Sequence, residues 1–294
     1  MTPVGPPVGA YRAGMTVVLV TGCSSGFGLL TAVELARRGD RVFATMRNPE
    51  RSGELQAALD DAGAGLRDAV EVVTLDVTDE DSVRSAVGHA LDAAGRLDVV
   101  VNNAGIAAGA SVEETSIETM ATVIDTNVYG PVRVIQAALP SMRAQGSGHI
   151  VNVTSLAAFV APPFLGAYAA SKHAMDALGE ALAAEVTPFG IHVTNVAPGA
   201  YDTPMVGGVD DELAAIDPSS PYAERRRALL VRHAELMRES ADASTVAVAI
   251  ADAIHADPPP GRVVVPASST AMAGLRGSMA PEQLRSILAA SYGI

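Results

Sequence analysis

Val17, Val18, Leu19 and Val20 form an apolar run that ends abruptly in Thr21-Gly22-Cys23-Ser24-Ser25-Gly26-Phe27-Gly28. A strand that is apolar at every position, not at alternate ones, must be covered on both faces, the mark of a parallel strand inside a layered sheet. The glycines that follow permit a tight turn and a close helix. The first unit therefore reads as a strand over Thr16 to Thr21 and a helix over Gly26 to Arg38. The theme repeats. Arg41 to Met46, Val70 to Leu75 and Leu97 to Asn102 read as strands, separated by helices over Pro49 to Ala62 and Glu80 to Ala94. Ser116 to Thr126 and Gly130 to Gln145 read as two helices with a break between them. His149 to Thr154 reads as strand five, Gly166 to Thr187 as a long helix, Ile191 to Val196 as strand six, Asp242 to Ala256 as a helix and Arg262 to Val265 as the last strand. Such alternation implies right-handed crossovers, and so an α/β fold with a doubly wound parallel sheet of about seven strands and helices on both faces.

In open sheets of this kind ligands bind beyond the carboxyl ends of the strands. The polar residues of this chain gather there. Gly22 follows strand one, Asp76 strand three, Asn103 strand four, Ser155 strand five and Pro198-Gly199 strand six. Core packing alone gives no reason for polar residues at each exit and apolar interiors between. Within the first exit, Gly22-x-x-x-Gly26-x-Gly28, with Ser24, Ser25 and Phe27 between, lets the backbone approach a pyrophosphate while the next helix turns its positive amino end to it. The spacing is not Gly-x-Gly-x-x-Gly, and no Gly-Lys-Ser/Thr follows, which argues against a P-loop. The expected domain is Rossmann-like and single.

Tyr168 and Lys172 stand four residues apart, with Ser155 thirteen before the tyrosine. In a helix that spacing puts the two side by side. A tyrosine titrates near pH 10 and is a poor base at neutrality, but a neighbouring cation favours the phenolate. Reaching about 7 takes roughly 4 kcal/mol, at about 1.4 kcal/mol per unit, more than one lysine usually supplies. A second positive charge, such as an oxidised nicotinamide ring, would help.

The glycine loop, Asn102-Asn103-Ala104-Gly105, Asn127, Ser155 and the Tyr168/Lys172 pair, in this order, resemble the classical short-chain dehydrogenase/reductase family from about Thr16 to Pro266. Thr21 to Gly28 with Ala44-Thr45-Met46-Arg47 is similar to the branch that contains steroid and retinol dehydrogenases. The resemblance implies reversible hydride transfer between NAD(P) and a lipophilic ketone or secondary alcohol. Tyr168 is then the acid and base, Ser155 the donor to the substrate oxygen, Lys172 the ribose contact that lowers the tyrosine pKa, and Asn127 the helix disturbance holding a water that links the lysine to solvent. Asn103, Ala104 and Gly105 would border the cofactor. Pro198, Gly199 and Thr203 match a Pro-Gly-x-x-x-Thr element, with the threonine near the nicotinamide carboxamide. Asp76 and Val77 match the adenine contact; a capping aspartate at the start of the next helix is the competing reading of Asp76.

Cofactor choice is written at the end of strand two, where an acid holds the free ribose hydroxyls of NAD and an arginine accepts the extra phosphate of NADP. Arg47 stands there without an acid, and Asp40 lies before the strand, so NADP is favoured. Ser24-Ser25, where many NADP-preferring relatives carry a basic residue, keeps NAD open.

The formal charge of −13 and the absence of long basic runs exclude the footprint of a nucleic-acid binder. Arg225-Arg226-Arg227 reads as decoration of a helix face. Six scattered histidines show no metal spacing. A single cysteine, Cys23, excludes an internal disulfide and reads as a small filler in the loop. No apolar run reaches the about eighteen residues needed to span a bilayer. These features place the chain in the cytoplasm, with no membrane partner. Residues 1–14 are expected to be a flexible leader, 15–266 the catalytic domain with a substrate lid over 200–240, and 267–294 an extension that covers the pocket or packs on another subunit.

Leu156, Phe159, Val160, Pro162, Pro163, Phe164, Leu165, Tyr201, Met205 and Val206 either wall an apolar pocket or pack under a loop. By resemblance, Val132 to Arg143 and Ala169 to Val186 would pair two or four copies into a homodimer or homotetramer. Three alternatives stand beside the small-molecule oxidoreductase: a 3-oxoacyl carrier-protein reductase, disfavoured by an acidic surface facing an acidic carrier; a non-catalytic NAD(P)-sensing regulator, which typically lacks the tyrosine or lysine; and an epimerase or dehydratase of the extended branch, which would show other glycine spacing.

Overall fold

A computed structural model describes residues 15–202, 213–238, 241–271, 273–274 and 280–292. The leader 1–14, Thr203, Met205 and Val206 lie outside the described residues. Seven strands, β1 (Val17–Val20), β2 (Arg41–Met46), β3 (Val70–Thr74), β4 (Val99–Asn102), β5 (Gly148–Val153), β6 (Ile191–Pro198) and β7 (Arg262–Val265), form one sheet in the order β3-β2-β1-β4-β5-β6-β7. Every pairing is parallel. Strand order reverses direction between β1 and β4, the switch point at which a doubly wound sheet opens a crevice.

Alternate residues of each strand feed two cores. Val18, Val20, Val42, Ala44, Val99 and Val101 point to one face, where α1 (Gly26–Arg37), α2 (Gly53–Ala62) and a late helix, Ser244–His255, bring Leu35, Leu55, Leu59 and Ile250. Val17, Leu19, Phe43, Val100 and Ile150 point to the other, against Val83 and Val87 of α3 (Glu80–Ala94) and Val134 and Met142 of a helix over Gly130–Gln145. With both faces covered, continuous apolar strands are the stable solution. Each fully buried aliphatic side chain contributes roughly 1.5–3 kcal/mol.

The element order follows the sequence pattern; β4 starts two residues later and β6 runs two residues further than expected, and three other differences are instructive. Pro49–Ser52 is a 3-10 turn before α2, because Asn48 accepts from the Glu50 amide at 2.9 Å and Pro49 begins the turn without a donor. The last helix of the first core starts at Ser244, after Asp242 has accepted from the Ser244 amide at 2.9 Å. The third matters for the site. α4 (Ile117–Ile124), opened by Ser116 accepting from the Thr119 amide, does not break before α5 (Gly130–Gln145); a π-turn over Asp125–Tyr129 joins them. α6 (Gly166–Val186), α7 (Ala223–Arg238), α8 (Ser244–His255) and α9 (Pro281–Tyr292) complete the helices named here. α9, in the carboxyl-terminal extension, packs against α7 in the described part of the proposed lid. Arg225 and Arg227 are exposed on α7.

Candidate active site

The turns after β1 and β4 are joined into one structure. Thr21 Oγ1 accepts from the amides of Asn103 at 2.9 Å and Ala104 at 3.0 Å, while Asn103 Nδ2 donates to the carbonyls of Thr21 at 2.8 Å and Gly22 at 3.2 Å. Gly22 has φ +74, and a Cβ there would stand 2.9 Å from Ala104 Cα. A Cβ on Gly28 would fall 2.2 Å from the Gly22 carbonyl oxygen and 2.5 Å from Asn103 Nδ2. No side chain fits at either position. Ser25 precedes α1 in extended conformation with no side-chain cap, so the first amides of α1 are left for an external acceptor. Cys23 is fully buried in the core beneath, its amide donating to the Thr45 carbonyl at 2.8 Å, and burial pushes its thiol up to about 12. It is an inert filler.

Above the loop lies a cleft of about 350 Å³. Gly22, Ser24, Ser25, Gly26 and Phe27 line it, with Arg47, Asp76, Val77, Asn103, Ala104 and Gly105 across from them. Met46, next to Arg47, also lines it, and Leu75, Thr78, Ile106, Ala107 and Thr126, which no sequence motif singled out, complete the lining. Arg47 is exposed at the end of β2 and makes no ion pair with a described residue. Asp76 does not cap α3. Its Oδ1 accepts from the amide and hydroxyl of Thr78 at 2.9 and 2.7 Å, and the cap is Asp79, which accepts from the amides of Asp81 and Ser82. The capping reading of Asp76 therefore falls, since one carboxylate three residues on already satisfies the helix start.

Lys172 is buried, 4% exposed, and its Nζ donates to the Val153 carbonyl at the end of β5 at 2.9 Å. The same Nζ stands 5.6 Å from the centroid of the Tyr168 ring. Burial lowers the lysine to about 8. Burial also raises Tyr168 above its ordinary value, and an interaction with the Ser155 hydroxyl opposes the rise without reversing it. Removing the phenol from water penalises its anion more than the Ser155 hydroxyl offsets. Ser155 opens the 3-10 turn Leu156–Ala158, its Oγ accepting from the Ala157 amide at 3.1 Å.

Asn127 sits inside the π-turn, 1% exposed. Its Oδ1 accepts from the Ile106 amide at 2.8 Å, and its Nδ2 donates to the Ile106 carbonyl at 2.8 Å and to Ser171 Oγ at 3.0 Å. Ser171 in turn donates to the Tyr168 carbonyl at 2.7 Å. The widened turn that carries Asn127 is thus pinned both to the loop after β4 and to α6. Gly130 lets the start of α5 come close to Val77 in the turn after β3, because a Cβ there would meet Val77 Cγ2 at 2.8 Å. Ser171 was not legible as a site residue, although its place three after Tyr168 in a helix is the signal that finds it.

Pro198 ends β6, and the Gly199 amide donates to the Val265 carbonyl at 2.7 Å, which closes the sheet behind the site. Thr203 falls outside the described residues. Of the apolar residues weighed as pocket walls, Tyr201 belongs to the core, 4% exposed, edge-on to Phe27 with centroids 5.6 Å apart. Leu156 and Val160 are likewise buried. Phe164 adopts φ +62 and packs edge-on to Tyr222 with centroids 6.2 Å apart. Tyr222 Oη donates to Glu113 at 2.5 Å. Among the described residues no cluster could hold a metal ion.

The glycine cradle at the switch point, the uncapped start of α1 and the buried lysine beside a tyrosine stand together at the carboxyl ends of the strands of a doubly wound sheet. The sequence pattern of the short chain dehydrogenase family matches residues 16–214. Relatives include retinol dehydrogenase 8 of Bos taurus, 38% identical over 68% of this chain and 64% of its own length. The 17-beta-hydroxysteroid dehydrogenase type 1 of Homo sapiens is 40% identical over 64% of this chain and 57% of its own. The chain thus spans less than two thirds of the length of these relatives. Among solved structures, a short chain dehydrogenase/reductase of Burkholderia phymatum in complex with NAD superposes with TM-score 0.76 at 27% identity, covering 91% of this chain and 94% of that one. A variant of actinorhodin polyketide ketoreductase with NADPH gives TM-score 0.73 at 30% identity over 85% and 95%. This chain belongs to the short-chain dehydrogenase family.

Proposed function

We propose that the protein transfers hydride reversibly between a nicotinamide dinucleotide and a lipophilic ketone or secondary alcohol, with Tyr168 as the general acid and base. The observation that carries this reading is the buried Lys172 ammonium beside the Tyr168 ring, with the Ser155 hydroxyl acting on the same phenol. The cradle of Gly22, Gly26 and Gly28 and the uncapped start of α1 fit a pyrophosphate. When bound, the nicotinamide supplies or accepts the hydride.

Burial holds Tyr168 in its neutral form, the form that donates a proton to a carbonyl oxygen. Ser155 donates to that oxygen as negative charge builds on it. Lys172 spends one donor on the Val153 carbonyl and keeps the others for the ribose. Asn127 holds the wall of the cleft through Ile106 and supports the proton path from the lysine to solvent. Arg47 favours NADP, since it lines the cleft where an NAD-selective site would place an acid. Asp76 and Val77 are assigned to the adenine end, and family resemblance assigns Thr203 to the carboxamide.

Retinol and hydroxysteroid, named for the relatives, support a lipophilic substrate. The segment 200–240 is assigned as its lid, 1–14 as leader and 267–294 as extension. We assign the protein to the cytoplasm; no helix among the described residues is long and apolar enough to cross a membrane. A homodimer or homotetramer through α5 and α6 accounts for the exposed Leu178. Fluorescence titration with NADPH and NADH, followed by a panel of ketones and alcohols with the nucleotide that binds, tests the reading. Tight binding of NADPH and turnover of an apolar carbonyl is expected; failure of both nucleotides to bind ends it.

A further inference from the structure

Asn102 on β4, Asn152 on β5, Asn195 on β6 and Arg262 on β7 stand in one register row across half the sheet. The asparagines form a ladder. Asn102 Nδ2 donates to Asn152 Oδ1 at 3.0 Å, and Asn152 Nδ2 donates to Asn195 Oδ1 at 3.1 Å. Asn195 Nδ2 then leaves the sheet for α6, donating to the Asp176 carbonyl at 2.9 Å and to its Oδ1 at 3.1 Å. Gly179 makes the approach possible, because a Cβ there would lie 2.2 Å from Asn195 Oδ1.

Arg262 completes the row from the edge strand. Its Nη2 meets Asp176 Oδ2 at 2.6 Å and Glu180 Oε1 at 2.6 Å. Tyr168, Lys172, Asp176 and Glu180 are successive members of an i, i+4 series, so the stripe of α6 that carries the two reactive side chains is the stripe that Arg262 holds. The same guanidinium lies 5.0 Å from the ring centroid of Phe159. Phe159 closes the short turn that Ser155 opens. One side chain therefore touches both segments on which the site is built, the Ser155 turn and the Tyr168/Lys172 helix.

We propose that Arg262, acting with Asp176, is a positioning residue that sets α6 along its axis against the Ser155 turn, and with it the approach of the Ser155 hydroxyl to the Tyr168 phenol. This rests on the reading of Tyr168 and Ser155 given above. Arg262 pairs both with the open Glu180 and with the buried Asp176, so its loss lowers Tm as well as rate; misplacing a reactive group by about 1 Å can cost on the order of a hundredfold in rate. Loss of Arg262 should thus be read in the turnover of the folded protein, over and above any fall in Tm. Lysine would keep one carboxylate contact but not the guanidinium that lies over the Phe159 ring.

The test compares wild type, Y168F, R262Q, R262K, F159L and the double variant R262Q/F159L. For each, kcat, KM, nucleotide Kd by fluorescence, the pH profile of kcat/KM and Tm are measured. R262Q should lower kcat by about tenfold or more and displace the pH-profile limb that Y168F removes, with nucleotide Kd changed by less than about twofold, as expected when positioning alone is lost. R262K should fall between, and the double variant should be no worse than R262Q, because both act on one contact. A folded R262Q with wild-type kcat and pH profile overturns the inference, as does strict additivity in the double variant. Should R262Q not fold, F159L, which leaves the ladder and both ion pairs in place, decides by the same kcat and pH criteria. Wild type that turns over no carbonyl or alcohol removes the functional reading and this inference with it; wild-type turnover abolished in Y168F but intact in the Arg262 and Phe159 variants removes this inference alone.

Discussion

The Nζ of Lys172 lies 5.6 Å from the centroid of the Tyr168 ring while its proton goes to the Val153 carbonyl 2.9 Å away. The cation is therefore placed against the phenol by the end of β5, not by the helix alone. Both groups are removed from water, and burial drives each toward its neutral form.

Replacing Tyr168 by phenylalanine removes the proton donor and leaves the cradle untouched. Turnover should fall by about 10²–10⁴, the usual contribution of positioned acid–base catalysis. Nucleotide Kd, read by fluorescence, should stay within about twofold, since the cradle donors are unchanged. Full activity in this variant would contradict the assignment.

Lys172 provides a pH test with a definite sign. Its folded pKa is held down to about 8 by burial, against about 10.4 in an unfolded chain. Below pH 8 the folded state carries a penalised charge; as pH rises through 8 toward 10.4 the folded lysine loses its proton first, and stability rises with pH. K172M lacks this group, so its stability relative to wild type should shrink by about 3 kcal/mol between pH 7 and about 10.5, at about 1.4 kcal/mol per pH unit. Urea denaturation of both proteins across that range measures it. A pH-independent difference would show that the lysine is not desolvated.

Two glycines should respond in opposite directions. Gly28→Ala drives a methyl to 2.2 Å from the Gly22 carbonyl oxygen, so the cradle must open and nucleotide affinity should drop by about tenfold or more, at about 1.4 kcal/mol per decade. Gly88, within α3, meets nothing within 4 Å. Gly88→Ala should raise stability by about 1 kcal/mol through helix propensity, visible as a higher Tm with binding unchanged.

Arg47→Ala should weaken NADPH by about tenfold or more, the loss of one charge-assisted contact of roughly 1.5–3 kcal/mol, and leave NADH unaffected. Parallel titrations with the two nucleotides decide the matter. Equal effects on both would show that Arg47 does not read the extra phosphate.

The strands, the glycine turn, Ser155 at a strand exit and Tyr168 beside Lys172 on one helix were legible because each is encoded locally: apolar residues at every strand position demand cover on both faces, and a spacing of four in a helix makes neighbours. Asn127 was legible as a disturbance but not as a π-turn, because the bonds that stabilise the turn go to Ile106 and Ser171, which are 21 and 44 residues away. Tyr201 looked equally suited to a pocket wall and to packing; Phe27 and Thr245 place it in the core.

What the chain determined by itself is the menu of elements, the cradle, and the gathering of Ser155, Tyr168 and Lys172 toward the carboxyl ends of a parallel sheet. Only the tertiary structure decided the row that runs from Asn102 to Arg262, the docking of Asp176 on Asn195, and the direction in which burial moves Tyr168 and Lys172. Periodicity tells which way a side chain faces, whereas register between strands and the removal of water from a charged group depend on partners far away in sequence, which come together only when the whole sheet and its helices have packed.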